Sequence, residues 1–255
     1  MTAGTAKADR IRIGALQVDV VNLEGALDAI DALVAAKAGG TVFTPNVDHV
    51  VQVEHDPRFR AAYDQVGLSL VDGMPLMWAA RLLKTPLPEK VSGSDLILPL
   101  MRRAAERGHR VYFLGGADGA AEAAKQKLLE QFPTLQIVGI DPARIDVNGG
   151  PEVQAPILAR IAAAKPDLLL VALGAPKQEI WSHEQRAALG AAVAIGVGAS
   201  LDFIAGAQRR APRWMSDSGL EWAYRLAQNP RRLASRYLLR DPQFFGIVAR
   251  QMLAN

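Results

Sequence analysis

Residues 67–83 read GLSLVDGMPLMWAARLL. An apolar run ends at Val71, an acid and a glycine follow, and Met-Pro opens a second apolar run. The first run is short and continuous, which predicts a strand over Leu68–Val71 covered on both faces. The second has helical length, with proline in its first turn, and predicts a helix over Pro75–Leu83. One buried element hands over to the next through a carboxylate. Asp72 is either a cap for that helix or a reactive group held at the lip of a cleft, and the stretch by itself leaves both readings open.

The same alternation runs outward in both directions. Further strands are predicted at Ile11–Gln17, Thr41–Thr44, Arg110–Leu114, Leu135–Ile140, Leu168–Leu173 and Ala192–Val197. Further helices are predicted at Leu23–Lys37, Pro57–Gln65, Asp95–Arg107, Ala117–Gln131, Val153–Ala164 and Lys177–Leu189, with several more after Trp214. Asp56-Pro57 is a capping acid followed by proline at the first helical position, and Gly108 is a stop signal. Repeated βα units imply an α/β fold: a Rossmann-like, mostly parallel sheet flanked by helices. The pattern breaks near Gly206. Residues 1–207 read as the core and 208–255 as an appended helical module.

The chain has 255 residues, half of them hydrophobic and 22% charged, an ordinary globular composition. It has no cysteine, so disulfides, thiolate metal sites and a cysteine nucleophile are excluded. The opening residues MTAGTAKADRIRI lack the apolar core of a secretory signal. No apolar run reaches the roughly 18 residues of a membrane span. The expected address is cytosolic. Net charge is +3 but uneven: from Arg209 onward nine arginines face three acids, leaving an acidic body with a basic tail. That asymmetry points to an anionic partner at the tail.

Ligands of open α/β sheets bind beyond the carboxyl ends of the strands, and four segments place polar groups there. Thr44 and Asn46 follow the strand TVFT; the alternative duty for Asn46 is to cap the helix VDHVVQVEH. Asp72 follows the next strand, where a helix N-terminus favours an ionised carboxylate able to take a proton from a hydroxyl. Gly115 and Gly116 of FLGGADG lead into a helix whose free N–H groups suit a phosphate, or simply form a tight turn. Gln178 of LGAPKQE lies in a first helical turn, where an amide can read a polar ligand. The chain has no Asp-x-Asp pair, P-loop, HExxH or GxSxG. Of four scattered histidines only His49 lies near a candidate site, where a surface or capping role is the simpler reading.

Taken in order, TPNVDH, VDGMPLMWAAR, EKVSGSDL, FLGG, LGAPKQE, VGASLDFIAGAQRRAPRWM and GLEWAYRLAQNPRRLASRYL resemble the WecG/TagA/CpsF family of bacterial glycosyltransferases over Ile11 to Phe245. The resemblance implies a Rossmann-like core with a C-terminal appendage. It implies inverting, metal-independent transfer from a UDP-sugar to a polyprenyl-diphosphate-linked saccharide, peripheral on the cytoplasmic membrane face, in surface-polysaccharide synthesis. No other cofactor is implied. The family's base position falls on Asp72 and its paired polar position on Thr44, with Asn46 beside it. A basic position before V-[ST]-G-x-D falls on Lys90, where relatives carry arginine, which grips a phosphate with two prongs rather than one. Gln178 matches the glutamine of GxPxQE. Val47-Asp48-His49 departs from the Pro-Glu of teichoic-acid relatives, which bears on the donor sugar.

On this reading Lys90 and tail arginines offset charge on the UDP leaving group, with Arg209, Arg210 and Arg213 nearest the core. The remaining arginines and aromatics of the tail suit an anionic membrane. The resemblance also implies a homo-oligomer whose assembly competes with tail docking. Two rival classes are weaker. A Rossmann oxidoreductase or methyltransferase needs a glycine fingerprint after the first strand, where this chain reads VDVVNLEG. A nucleic-acid binder using the tail leaves the polar strand exits idle, so no nucleic-acid partner is expected.

Overall fold

The structure, a computed structural model, describes residues 9–142 and 145–254, apart from the side chains of Arg213 and Arg232. The strands are β1 (Arg10–Ile13), β2 (Leu16–Asp19), β3 (Gly40–Phe43), β4 (Leu68–Ser69), β5 (Arg110–Gly115), β6 (Gln136–Asp141), β7 (Leu168–Ala172) and β8 (Val193–Gly196). Strands β3 to β8 form one six-stranded sheet in the order β4-β3-β8-β7-β5-β6, with every pair parallel. Its central strands are continuous apolar runs because helices cover both faces: all of β7 and β8 is buried. Parallel neighbours need crossover connections, and the helices of the βα alternation supply them.

One predicted strand is corrected. Residues 11–17 do not enter the parallel sheet. They fold as an antiparallel hairpin of β1 and β2, because Gly14 adopts φ 62° and turns the chain. The hairpin is tied to the sheet edge by Asp19, whose Oδ2 accepts from the Ser69 backbone N–H at 2.7 Å. The predicted helix Lys177–Leu189 is likewise two pieces, Lys177–Glu184 and Arg186–Leu189. Elsewhere ends move by a few residues, as end-fraying would suggest.

After Gly206 the chain is helical: Arg213–Asp217, Glu221–Gln228, Pro230–Ser235, a π-helical turn Arg236–Arg240, and Gln243–Ala254. The last helix is anchored. Phe244, Ile247 and Val248 join the apolar cluster of Ile13, Leu16 and Val50. The segments before it have a different character, since Glu221–Gln228 buries no residue fully. They lie across the carboxyl ends of β3 and β4 and roof a cavity there.

Candidate active site

Strands β3 and β4 pair in register, Phe43 opposite Ser69. The pairing continues past both strands: the Leu70 N–H donates to the Phe43 carbonyl, and the Asp72 N–H donates to the Pro45 carbonyl at 2.8 Å. This backbone zip sets Asp72 beside Asn46 at the strand exits.

The structure decides what Asp72 is not. The cap of the helix Met74–Leu82 is Gly73, and no side chain bonds to that helix end. Gly73 sits at φ 104°, ψ 145°, a region that side-chain-bearing residues rarely adopt. It turns the chain so that the carboxylate of Asp72 is spent on no backbone N–H. Among the described residues no donor bonds to either oxygen of Asp72, and the half-buried residue lines a cavity of about 290 Å³.

That setting raises its proton affinity. Burial, then the negative charge of Glu221, push Asp72 up to about 6, against the pull of Arg225 and Lys90. Glu221 is the better-solvated partner by hydrogen bonding. Ser216 Oγ donates to it at 2.6 Å and Arg225 Nη2 lies 2.6 Å away. Burial opposes its charge, but Arg225 and Ser216 prevail and hold it below the usual carboxylate range. Three carboxylates thus line the cavity: Asp72 and Asp241, the latter also pushed up to about 6 by burial against the pull of Arg236, and Glu221, held low, so their proton affinities are spread apart as in acid–base sites.

Two arginines share the cavity with them. Arg225 is stacked 5.9 Å from the Phe203 ring centre. Arg236 lies over Tyr237 at 5.2 Å and donates to Asn46 Oδ1 at 3.0 Å. Both also line a smaller cleft next door with Arg209. Most of the remaining wall is apolar, built from Met74, Pro75, Trp222, Leu238 and Phe245, with Ser216, Tyr237 and Asp241 set into it. Such a chamber suits an amphipathic ligand with an anionic head.

The other sequence candidates are distributed as follows. Asn46 is both things at once: it caps the helix Val47–His55 and lines the cavity. Thr44 is buried below the cavity lining, near Gly93 and Ser200. Lys90 donates to Asp95 Oδ2 at 2.9 Å, and Arg210 binds the other oxygen of the same carboxylate. Burial resists the charge on Asp95, yet bonds from Ser92, Arg210 and Lys90 hold it down to about 2. Gly115 and Gly116 have left-handed φ, but the next N–H, of Ala117, already donates to the Asp202 carboxylate at 3.0 Å. A protein anion thus occupies the spot expected for a phosphate. Gln178 is internal: its Oε1 accepts from the Gly198 N–H at 3.1 Å and its Nε2 donates to Glu179 at 2.7 Å. Arg209 is exposed, and the side chain of Arg213 lies outside the described residues.

Sequence reading missed Glu221, Arg225 and Arg236. It favoured the arginines nearest the core in the chain, whereas the tail doubles back and delivers later ones. The i, i+4 pair Glu221–Arg225 within GLEWAYRL was the available signal.

The profile of the Glycosyl transferase WecG/TagA/CpsF family matches residues 11–255. The chain belongs to this family. This glycosyltransferase is similar to two enzymes named N-acetylglucosaminyldiphosphoundecaprenol N-acetyl-beta-D-mannosaminyltransferase. That of Bacillus spizizenii is 31% identical over 217 residues, covering 85% of this chain and 81% of the relative. That of Bacillus subtilis is 29% identical over 210 residues, covering 82% and 80%. The glycosyltransferase has no helix among the described residues long and apolar enough to cross a membrane.

Proposed function

We propose that this glycosyltransferase moves an N-acetylhexosamine from a UDP-sugar to a polyprenyl-diphosphate-linked N-acetylglucosamine, with inversion and without a metal. The observation that carries the reading is the carboxylate of Asp72, free of protein donors in a chamber that also holds two arginines. The names of the Bacillus relatives supply the sugar and lipid classes.

In this mechanism Asp72 removes the proton from the acceptor hydroxyl. That oxygen attacks the donor's anomeric carbon from the face opposite the nucleotide, the carbon–oxygen bond to the diphosphate breaks, and UDP leaves with its electron pair. The proton stays on Asp72 until solvent removes it. Arg225 and Arg236 face the cavity and offset charge on a diphosphate. Thr44, Lys90 and Gln178 act from behind the lining, shaping the strand exits rather than gripping the reacting atoms.

The tail residues 208–255 form the roof of the site and its membrane face. Trp222, Leu238, Leu239 and Phe245 are exposed apolar groups at or next to the cavity, and Arg231 and Arg240 are exposed on the same stretch of chain. That mixture suits an anionic bilayer holding a lipid-linked substrate, at the inner face of the plasma membrane.

The test is UDP release from UDP-N-acetylmannosamine, with a short-chain prenyl-diphosphate N-acetylglucosamine as acceptor. Wild type is expected to turn over, and Asp72→Asn to lose about 10²–10⁴-fold. A folded Asp72→Asn with unimpaired turnover removes the base from the mechanism.

A further inference from the structure

One buried network at the site takes no part in the proposed chemistry. His49 is 4% exposed and Glu179 is fully buried. His49 Nε2 lies 3.3 Å from Glu179 Oε1, and its Nδ1 lies 2.8 Å from Asn46 Oδ1 and 3.2 Å from the Asn46 backbone N. The ring is wedged between Phe59 at 5.5 Å and Tyr63 at 6.2 Å. Glu179 Oε1 also accepts from Gln178, while its Oε2 has no hydrogen-bond partner. A carboxylate, an imidazole and two aromatic rings therefore hold one small amide from behind.

The orientation of that amide follows from its partners. The Asp48 backbone N–H donates to Asn46 Oδ1 at 3.1 Å and the Arg236 guanidinium donates at 3.0 Å. Neither group can accept, so the atom they meet is the oxygen, and His49 Nδ1, 2.8 Å away, holds that oxygen as a third donor, in the form where Nδ1 carries the hydrogen and the Asn46 backbone N–H at 3.2 Å does not donate to it. The amide nitrogen is thus the other branch. Among the described residues nothing accepts from it, and Asn46 lines the cavity that Asp72 shares. An N–H₂ group with two unused hydrogens beside the base is a donor waiting for a ligand oxygen.

We infer that Asn46 presents its amide N–H₂ to an oxygen of the bound sugar, and that His49, braced by Glu179, is the positioning residue that holds it there. The inference rests on the proposed glycosyl-transfer reading for the identity of the ligand, but not for the geometry. It gives the buried pair a task and supplies the site with a directional contact. Arg236 lies on the tail and Asn46 on the core, so the grip on the amide oxygen is complete only with the tail in place. The accepting oxygen is a ring hydroxyl or the carbonyl of an N-acetyl group, both of which take a hydrogen bond from an amide.

Two substitutions of His49 separate positioning from packing. Asparagine at 49 places an amide where Nδ1 stood and keeps the contact to Asn46. Glutamine places it where Nε2 stood and keeps only the contact to Glu179. Both lose the ring. The side-chain N–H₂ of Asn46 is followed by ¹⁵N NMR, assigned by its disappearance in Asn46→Asp. Wild type and His49→Asn are expected to show dispersed resonances, and His49→Gln resonances moved toward random-coil positions. Turnover follows the same order. With UDP-N-acetylmannosamine, His49→Asn stays within about threefold of wild type and His49→Gln falls by about tenfold or more in kcat/KM. Both melt at similar temperatures, which a role in packing alone would also give. Asn46→Asp retains the accepting oxygen but not the donor and loses more than about tenfold. A comparison with UDP-glucose locates the contact: a loss confined to the N-acetyl sugar identifies the carbonyl, and an equal loss identifies a hydroxyl. Wild-type-like Asn46 resonances in His49→Gln, or equal turnover in the two His49 variants, overturns the positioning role. Full activity of Asn46→Asp overturns the donor role. An inactive wild type with every nucleotide sugar would defeat the functional proposal instead, while the NMR comparison still tests the geometry.

Discussion

Asp72 should cost the enzyme stability, in a way that depends on pH. Its proton affinity in the folded chain is raised to about 6 from an ordinary 3.8. A group held at a higher pKa when folded binds protons more tightly in the native state. Stability then falls as pH rises between the two values. Each unit is worth 1.36 kcal/mol, so the full penalty of ionising Asp72 is about 3 kcal/mol. Most of an acid titration is hard to reach because other carboxylates unfold the protein, so the useful window is pH 5 to pH 8. At pH 5 the folded group is mostly protonated and at pH 8 it is ionised. Over that window the linkage equation leaves about 1.4 kcal/mol.

Asp72→Asn removes the titration without changing the shape of the side chain. Urea unfolding of both proteins at the two pH values isolates the effect from every other group. The stability advantage of the variant over wild type should grow by about 1 kcal/mol or more from pH 5 to pH 8. The same variant should be the inactive one, with kcat/KM of wild type rising through an acid limb near pH 6 as the base ionises. A variant whose advantage is the same at both pH values would mean that Asp72 titrates normally. The case for a desolvated, donor-free carboxylate would then collapse, whatever happened to turnover.

Three further outcomes follow from the same residues. Glu221→Gln takes a negative charge away from Asp72 and frees Arg225, so the acid limb of kcat/KM should move to lower pH; a limb that stays put or rises is inconsistent with that coupling. Asp48 is 2% exposed and faces Arg240 Nε at 2.6 Å and Arg236 Nε at 3.5 Å, so Asp48→Asn should loosen the tail; trypsin should cut near Arg231 about tenfold faster, a change of about 1.4 kcal/mol in docking. Gly219 has φ 72° and a side chain there would meet Trp78 at 2.6 Å, so Gly219→Ala should unseat the roof, quench or shift Trp78 fluorescence and lower turnover by about tenfold with little change in melting temperature; an unaltered emission spectrum would show that the contact does not hold the tail.

Most of the sheet was legible because its strands are buried on both faces, and that writes an unbroken apolar run into the chain. The exception is instructive. Ile11–Gln17 looks like such a run, but Gly14 folds it on itself, and a hairpin at a sheet edge carries the same apolar composition as a central strand. Asp72 was legible as a candidate but not as a decision, because an acid before a helix reads identically as cap or base. Gly73 taking the cap position removes only the capping reading, through a backbone conformation that has no signature beyond the glycine itself. Gln178 and Thr44 were found by type and spacing, which locate a strand exit but not the depth of a side chain below it. The arginines failed for a topological reason. Nearness along the chain put Arg209 and Arg210 first, while the turns at Gly219 and Asn229 bring Arg225 and Arg236 over the cavity.

The base and its surroundings belong to different parts of the chain. Asp72 and Asn46 come from adjacent strand exits and are fixed by backbone hydrogen bonds that do not involve the tail. The groups that set the proton affinity of Asp72 most strongly after burial, Glu221 and Arg225, are both on the tail. The oxygen of Asn46 is held from both sides, by the Asp48 N–H of the core and by Arg236 of the tail. Without the roof, Asp72 would face water, its pKa would relax toward an ordinary carboxylate value, and it would be a weaker base with a less ordered neighbour. On the proposed reading, closing the roof would raise its basicity, exclude water and complete the grip on Asn46 in one event. On the proposed mechanism the base is therefore strongest with the roof closed, when a sugar is shielded from hydrolysis, so the charge placement on the tail would help confine transfer to a closed chamber.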